Sequence, residues 1–573
     1  MTIGNIGAMD IFVIFIFLFC NFVFALVSRG RKGNFGEYAI GKGHHFSDIT
    51  IILTTVATYA SGSLLISGVQ QSYLKGLPYI IMVIIMDPLS YVLYSIFVIP
   101  KMTMRSFSIY EYLGHFYGDK IRCILALTEV LAKIGYLAIQ LTVIGIAAEM
   151  IFGCGDTSKQ VLMCLSALFL GLYTAFGGLK SVSITDICQS LFFMCAIVFL
   201  AFYILSHDEV QAGFFTQFET PSDRMSLKAC FKSWTVTIAT LAMWAKAVVP
   251  WHSTPLYQRV LMAETPWRAR RLMFLAILIY TTIRLMVVYI GLQVYGVDPN
   301  LKIKEIWPFI IKTFSFKGLN GIIFVGICAL VISTVDSHLN AASVVITNDI
   351  LPAIHGKFKI KQYKTAMLVT FIWISLALLF ALKTTDIFKL LMYSGNFNLP
   401  VIILILSTVL GFRTHTNVIW AAIISAFVAT VSYSFFMRGT GFAQYAFFPG
   451  MCACGASLIL GHLYYTKIKG WKNDKEEPYY DPYTPEQNAA MLRRAATGEW
   501  IDKFDKDIKK KEFEKKYKEI MIEKMKLTVA EYEEQKQKKE EEQQKKEEEV
   551  NQVIANVRKI ILDSKKKEKK REG

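Results

Sequence analysis

Two polar stretches interrupt apolar segments of this chain and could do chemistry there. One is "TTVATYASGSLLISG", residues 54–68; the other is "STVDSHLN", Ser333 to Asn340. Hydroxyls and free backbone carbonyls make an all-oxygen environment, which hard cations prefer. Thr58, Ser61, Gly62 and Ser63 mark a place where a helix can unwind and free its carbonyls. On a helix turning about 100° per residue, Leu330, Ser333, Thr334, Ser337 and Asn340 share one arc, with Asp336 and His338 at its edges. A second reading of the same arc is helix packing through small residues with local Ser/Thr back-bonding. Five ionisable residues also lie in apolar runs: Asp87, Lys246, Arg284, Asp336 and His338. Charges are costly in hydrocarbon, so each is a functional candidate.

The elements that hold these residues read as membrane spans. The 573 residues are 54% hydrophobic and 13% aromatic, with apolar runs that recur at a length fit to cross a bilayer. Thirteen runs are expected, near 9–28, 48–72, 78–100, 122–152, 159–178, 184–206, 232–256, 270–297, 319–351, 364–383, 388–412, 415–437 and 444–467. The first lacks a basic leader and a cleavage site, so it reads as a retained span. Arg29, Arg31, Lys32 and Lys42 follow it, and later alternate loops are also basic (Lys101 to Arg122, Lys180, Arg259 to Arg271, Lys357 to Lys364). The positive-inside rule then places the N-terminus outside and the C-terminus in the cytoplasm of a plasma-membrane protein. Spans two to six start inside and seven to eleven outside, which suits two five-helix repeats of inverted topology, about 48–206 and 232–412.

Composition changes near Tyr465. Residues 1–467 are expected to form a transmembrane transporter domain, and 468–573, rich in Lys, Glu and Gln, a charged cytoplasmic tail, helical or disordered. Its lysines suit either solvent or anionic headgroups, and its partner is unspecified. The formal charge of +17 is spread over loops and tail, so no nucleic-acid partner is expected. The ten cysteines form no Cys-x-x-Cys pair and read as small buried residues. Without a zinc site, phosphate loop or nucleophilic triad, an enzyme is not expected.

Four segments resemble the sodium:solute symporter family, whose members include proline, pantothenate, choline and sugar carriers. They are "SIYEYLGHFYGDKIR" (108–122), "GGLKSVSITDICQ" (177–189), "QRVLMAETPWRARR" (258–271) and "ALVISTVDSHLNAASVVITNDI" (329–350). They occur in the family's order, and the resemblance covers roughly 5–467. His115 stands where the family favours Arg, and Glu264 and Thr265 also depart from its pattern. The resemblance implies an all-α polytopic fold with a LeuT-type 5+5 inverted-repeat core. It also implies a sodium site at Ala57, Ala60, Leu330, Ser333 and Thr334, where Leu330 replaces a usual Ala and acts through its carbonyl. Asp186 matches an aspartate on the cytoplasmic sodium path; helix N-capping is its other reading.

The resemblance also implies a solute contact on the helix before Gln258 and Arg259, and counting back places Lys246 there, where it would pair a substrate carboxylate. The alternative is a structural ion pair with Asp87. Ser61, Ser63, Asp87, Trp244 and Gln140 complete the expected substrate contacts. The reading is a Na+-coupled symporter, with Na+ as coupling ion, that imports a small organic solute across the lipid bilayer. That solute is expected to bear a carboxylate: an amino acid, pantothenate or a monocarboxylate. Coupling to H+ through Asp336 or Asp186 is one alternative, and a membrane solute sensor or scaffold is another.

Overall fold

The computed structural model describes residues 7–27, 35–41, 46–102, 108–219, 223–248, 253–263, 266–314, 316, 318–355, 362–384, 386–440 and 442–465. The chain divides into two units, 1–474 and 475–573. The expectations for the 468–573 tail, and Glu264 and Thr265, lie outside the described residues.

The first unit is built of helices. Those that frame the site and the spans are, in chain order, α1 (Ala8–Val27), α2 (Asp48–Tyr59), α3 (Gly62–Lys75), α4 (Leu77–Val98), α5 (Ile109–Tyr117), α6 (Asp119–Phe152) and α7 (Asp156–Leu205). There follow α8 (Trp234–Val248), α9 (Thr254–Leu261), α10 (Pro266–Val297), α11 (Leu319–Ile354), α12 (Gln362–Ala381), α13 (Ile387–Val409), α14 (Thr416–Phe436) and α15 (Ala443–Tyr464). Among the described residues nine helices are long and apolar enough to cross a membrane alone, and α2 with α3 makes ten.

Three features separate that number from the thirteen expected spans. Helix α1 (Ala8–Val27) is a further apolar helix outside that number, and Trp234–Val248 is a shorter one. The third is α7, whose 50 residues form two helical segments. At 1.5 Å per residue the two together rise about 75 Å, enough for two crossings of a hydrocarbon core. Gly178 breaks it, with φ 65° and ψ −178°. A side chain is strained there, and a Cβ would press 3.0 Å from the ring of Tyr38.

Burial sorts the helices into an inner group and a lipid-facing rim. Of the most apolar stretch of α11, 89% is buried, against 33% for α14. The rim exposes large apolar side chains, including Phe12, Phe15, Val431 and Phe435. Ser333, Thr334, Asp336, Ser337 and Asn340 are all fully buried. The polar arc of α11 therefore faces protein, as its cost in lipid requires. All ten cysteines are free.

Backbone chemistry makes the break between α2 and α3. Ala60 and Ser61 are extended, and the two helices bend by 56°. Ser61 caps α3, its Oγ accepting from the N–H of Leu64 at 3.2 Å. The N–H of Gly62 donates to Gln140 Oε1 at 3.1 Å. Gly62 cannot carry a side chain here, since a Cβ would sit 2.5 Å from Val331 Cγ2. The last carbonyls of α2 have no following helical turn and are left for other partners.

Close contact between α3 and α10 fixes the second half of this broken span. Ser72 Oγ donates to the Val288 carbonyl at 3.1 Å. A Cβ on Gly291 would fall onto Ser72 Oγ and come within 2.5 Å of the Val69 carbonyl oxygen. Gly291→Ala is therefore expected to destabilise the protein by about 1–3 kcal/mol, the usual cost of overpacking. Thermal unfolding in detergent measures it; an unchanged midpoint contradicts the close approach.

Candidate functional site

The five oxygens expected to form an ion site converge. Ser333 Oγ donates to the carbonyls of Ala57 at 3.2 Å and Leu330 at 3.1 Å. Thr334 Oγ1 reaches the carbonyls of Ala60 at 3.3 Å and Leu330 at 2.7 Å. Every member is neutral, and all five residues are fully buried. A cation about 2.3–2.6 Å from each oxygen needs neighbouring oxygens only slightly further apart than these. The hydroxyls now donate to carbonyls, and by turning would present lone pairs instead. Two elements supply the set: the freed end of α2 and one turn of α11.

A ladder of polar groups continues from this cluster. Thr58 Oγ1 lies 3.2 Å from Ser337 Oγ, which accepts from Arg259 Nη2 at 2.6 Å. Arg259 also meets Asp186 Oδ2 at 3.2 Å, both side chains fully buried. Thr54 Oγ1 donates to the same carboxylate oxygen at 2.5 Å. The N-cap reading of Asp186 is overturned: it lies well inside the helical run that follows Gly178. Its Oδ1 has no protein partner. Asp336 Oδ1 accepts from Thr174 Oγ1 at 2.8 Å.

A cavity of about 180 Å3 lies beside the broken span. Of the expected solute contacts, Ser61, Ser63, Asp87 and Lys246 line it, and Thr58 joins it to the polar ladder. Tyr59, Tyr91 and Tyr280 form an aromatic wall, with Tyr59 4.9 Å from Tyr91 and 5.6 Å from Tyr280 between ring centroids.

Gln140 and Trp244 are not among the lining residues. Gln140 spends its carbonyl on the N–H of Gly62, and Trp244 Nε1 donates to the Pro78 carbonyl at 2.9 Å. Both hold the scaffold around the cavity.

The charges in the cavity pair differently from the structural alternative. Asp87 forms its ion pair with Arg284, so the Asp87–Lys246 pair does not exist. Lys246 Nζ has only neutral partners, the Leu391 carbonyl at 3.3 Å and Met392 Sδ at 3.8 Å. Lys75, 4.6 Å above the ring of Phe388, adds a second positive charge near the same wall. With Asp87 neutralised by Arg284, the lining carries a net positive charge that suits an anionic group.

A buried ion pair in α6 is absent from the sequence expectations. Lys133 Nζ lies 3.3 Å from Glu129 Oε1 and 2.8 Å from Nδ1 of His338. The signal was available as a Glu-x-x-x-Lys pair, one helical turn apart, inside an apolar run. Arg259, quoted within a motif and given no role, is the other omission.

Comparison with known proteins follows the same lines. The model of the family described as "Sodium:solute symporter family" matches residues 40–425. A sodium/pantothenate symporter of Haemophilus influenzae is 27% identical over 193 residues, covering 33% of this chain and 39% of that protein. A Drosophila melanogaster protein named for sodium-dependent multivitamin transport is 22% identical over 379 residues, covering 61% of this chain and 60% of that protein. The alignments thus span less than two thirds of either relative. The structure of a Na+-coupled sialic acid symporter, in a substrate-bound outward-open state, superposes with TM-score 0.67 at 20% identity, covering 81% of this chain and 99% of that one. A nucleobase-cation-symport-1 family transporter in a closed conformation gives TM-score 0.50 at 12% identity, covering 75% and 93%. The shared architecture is an all-α, polytopic, LeuT-like membrane fold.

Proposed function

The chain belongs to the sodium:solute symporter family, and from that premise we propose that it imports a small, carboxylate-bearing organic solute by Na+ symport. The supporting observation is the convergence of five neutral oxygens from α2 and α11 next to a cavity whose Lys246 has no carboxylate partner.

Na+ binds at the carbonyls of Ala57, Ala60 and Leu330 and the hydroxyls of Ser333 and Thr334. A cage without a carboxylate holds a monovalent ion weakly enough to release it, as a coupling ion must be. Binding ties the broken span to α11 and favours the state open to the outside. Solute then binds with its carboxylate at Lys246 and its body against Ser61, Ser63 and the tyrosine wall. The α3 N-terminus, with its positive dipole end, adds to the attraction. Rocking of one repeat against the other opens the site inward, and Na+ leaves past Asp186. Coupling is the reciprocal linkage between two ligands that both prefer one state. A pantothenate-like carboxylate is the first solute to test, after the Haemophilus influenzae relative.

The topology that goes with this reading has thirteen spans. It divides α7 at Gly178, adds α1, and counts α8, within the expected span 232–256, as a span of its own. Repeats of about 48–206 and 232–412 are then inverted, with the N-terminus outside, the C-terminus cytoplasmic and the plasma membrane as location. The transporter domain ends near 467, and the tail of 468–573 is not needed for movement of solute.

Proteoliposomes carrying the purified protein test the reading. Amino acids, monocarboxylates, pantothenate, choline and sugars are offered under an imposed Na+ gradient or an imposed pH gradient. Uptake of a carboxylate driven by Na+, and unchanged on deletion of 480–573, is the expected result. Uptake driven by the pH gradient alone overturns Na+ coupling, and loss of uptake on deletion favours a signalling tail.

A further inference from the structure

His338 lines the cavity, and its ring lies 4.5 Å from that of Tyr136, another lining residue. Its Nδ1 is 2.8 Å from Lys133 Nζ. A lysine ammonium has three donors and no acceptor, so Nδ1 must accept and the proton of the neutral ring sits on Nε2. Glu129 Oε1, 3.3 Å from Nζ, is the counter-ion that favours the ammonium form. The Glu129 carboxylate is itself fixed: it accepts from the Thr254 N–H at 2.8 Å, Thr254 Oγ1 at 2.7 Å and Tyr110 OH at 2.6 Å. The chain Glu129–Lys133–His338 thus runs from the start of α9 to the cavity wall, and Nε2–H is the ring atom left to meet a solute.

We propose that His338 is a solute-contacting residue, a neutral hydrogen-bond donor through Nε2. Lys133 and Glu129 are positioning residues that set its tautomer and aim. This rests on the transport reading above and narrows its substrate class. A neutral donor recognises an uncharged acceptor: a hydroxyl, amide or carbonyl oxygen on the body of the solute. Lys246 takes the carboxylate, so the preferred solutes are carboxylates with a second polar group, not plain alkyl carboxylates. The Glu129 end of the chain also gives solute contact a physical route to α9, whose first N–H and hydroxyl it holds.

The test is Na+-driven uptake of pantothenate, which carries hydroxyl and amide groups, and of valerate, which carries neither. It uses the full chain in proteoliposomes. His338→Phe is expected to raise the KM for pantothenate about tenfold, leaving Vmax within about twofold and valerate unaffected, as loss of one buried donor predicts. His338→Gln keeps an N–H donor and should stay within about threefold of wild type. Lys133→Met should raise the pantothenate KM about fivefold alone but less than about twofold in the His338→Gln background, because it acts through the imidazole. A Lys133→Met effect of equal size in both backgrounds overturns the positioning role. A His338→Phe protein that moves both solutes like wild type overturns the contact. If His338→Phe does not fold, a His338→Gln protein with a pantothenate KM raised as much as tenfold overturns it too. A wild type that moves no solute of either kind under any gradient overturns the transport reading instead, and this inference with it.

Discussion

Ser333→Ala and Thr334→Ala are each expected to abolish Na+-driven uptake at ordinary Na+ concentration. Each removes one of five oxygens from the proposed cage and leaves its position empty. Backbone carbonyls supply the other three, and no carboxylate stands by to compensate. Loss of one buried ligand costs about 1–3 kcal/mol, or roughly five- to 150-fold in Na+ affinity. Both residues are fully buried on a fully packed helix, so water does not readily fill the gap. The signature is a Na+ activation curve displaced to higher concentration, with solute affinity at saturating Na+ little changed. Thr334→Ser keeps the hydroxyl and should retain coupling, separating a ligand role from loss of packing. Ordinary Na+ activation in both alanine variants would remove the cage assignment.

Much of this arrangement was legible in the sequence because lipid makes strong demands on composition. An unpaired polar group in hydrocarbon is costly, so "STVDSHLN" had to face protein, and α11 is the most buried of the spans. Gly62 flanked by serines announced the break, and Ser61 indeed caps the second half-helix. The number of spans was less legible. Composition reads 232–256 as a full span, where the helix Trp234–Val248 has 15 residues; the break at Gly178, by contrast, falls where the expected spans 159–178 and 184–206 divide.

The pairing of side chains was the least legible part. An Asp87–Lys246 pair was the alternative for Lys246 because both are charges in apolar runs, yet Arg284 holds Asp87. His338 meets Lys133, 205 positions away, and Arg259 meets Asp186 at a separation of 73. Helical periodicity says which face a residue occupies on its own helix, but not which neighbour that face meets. Gln140 and Trp244 show the same limit. Each is a polar-tipped residue on a helix near the cavity, and Gln140 gives its carbonyl oxygen, Trp244 its indole N–H, to backbone instead.

Lys246→Ala should produce the second large effect, a selective one. An ammonium in a buried cavity is several kcal/mol worse off than in water unless something pairs it. The Leu391 carbonyl and Met392 sulfur compensate only in part, and Arg284 already neutralises the nearest carboxylate. A residue kept in that condition for packing alone would be better replaced by methionine. If it waits for a carboxylate, truncation removes one member of a buried charge pair, at about 2–5 kcal/mol. The KM for carboxylate solutes should then rise roughly thirtyfold or more, as each 1.4 kcal/mol is a factor of ten. Choline and sugars should lose nothing as competitors, because they present no anion to the site. Stability of the empty protein should hold or increase, since the variant removes an unpaired buried charge. This combination distinguishes recognition from architecture: a structural lysine would lower the unfolding temperature and weaken all solutes together. Equal loss across charged and neutral competitors, with a lowered unfolding temperature, would end the carboxylate assignment while leaving the sodium cage untouched.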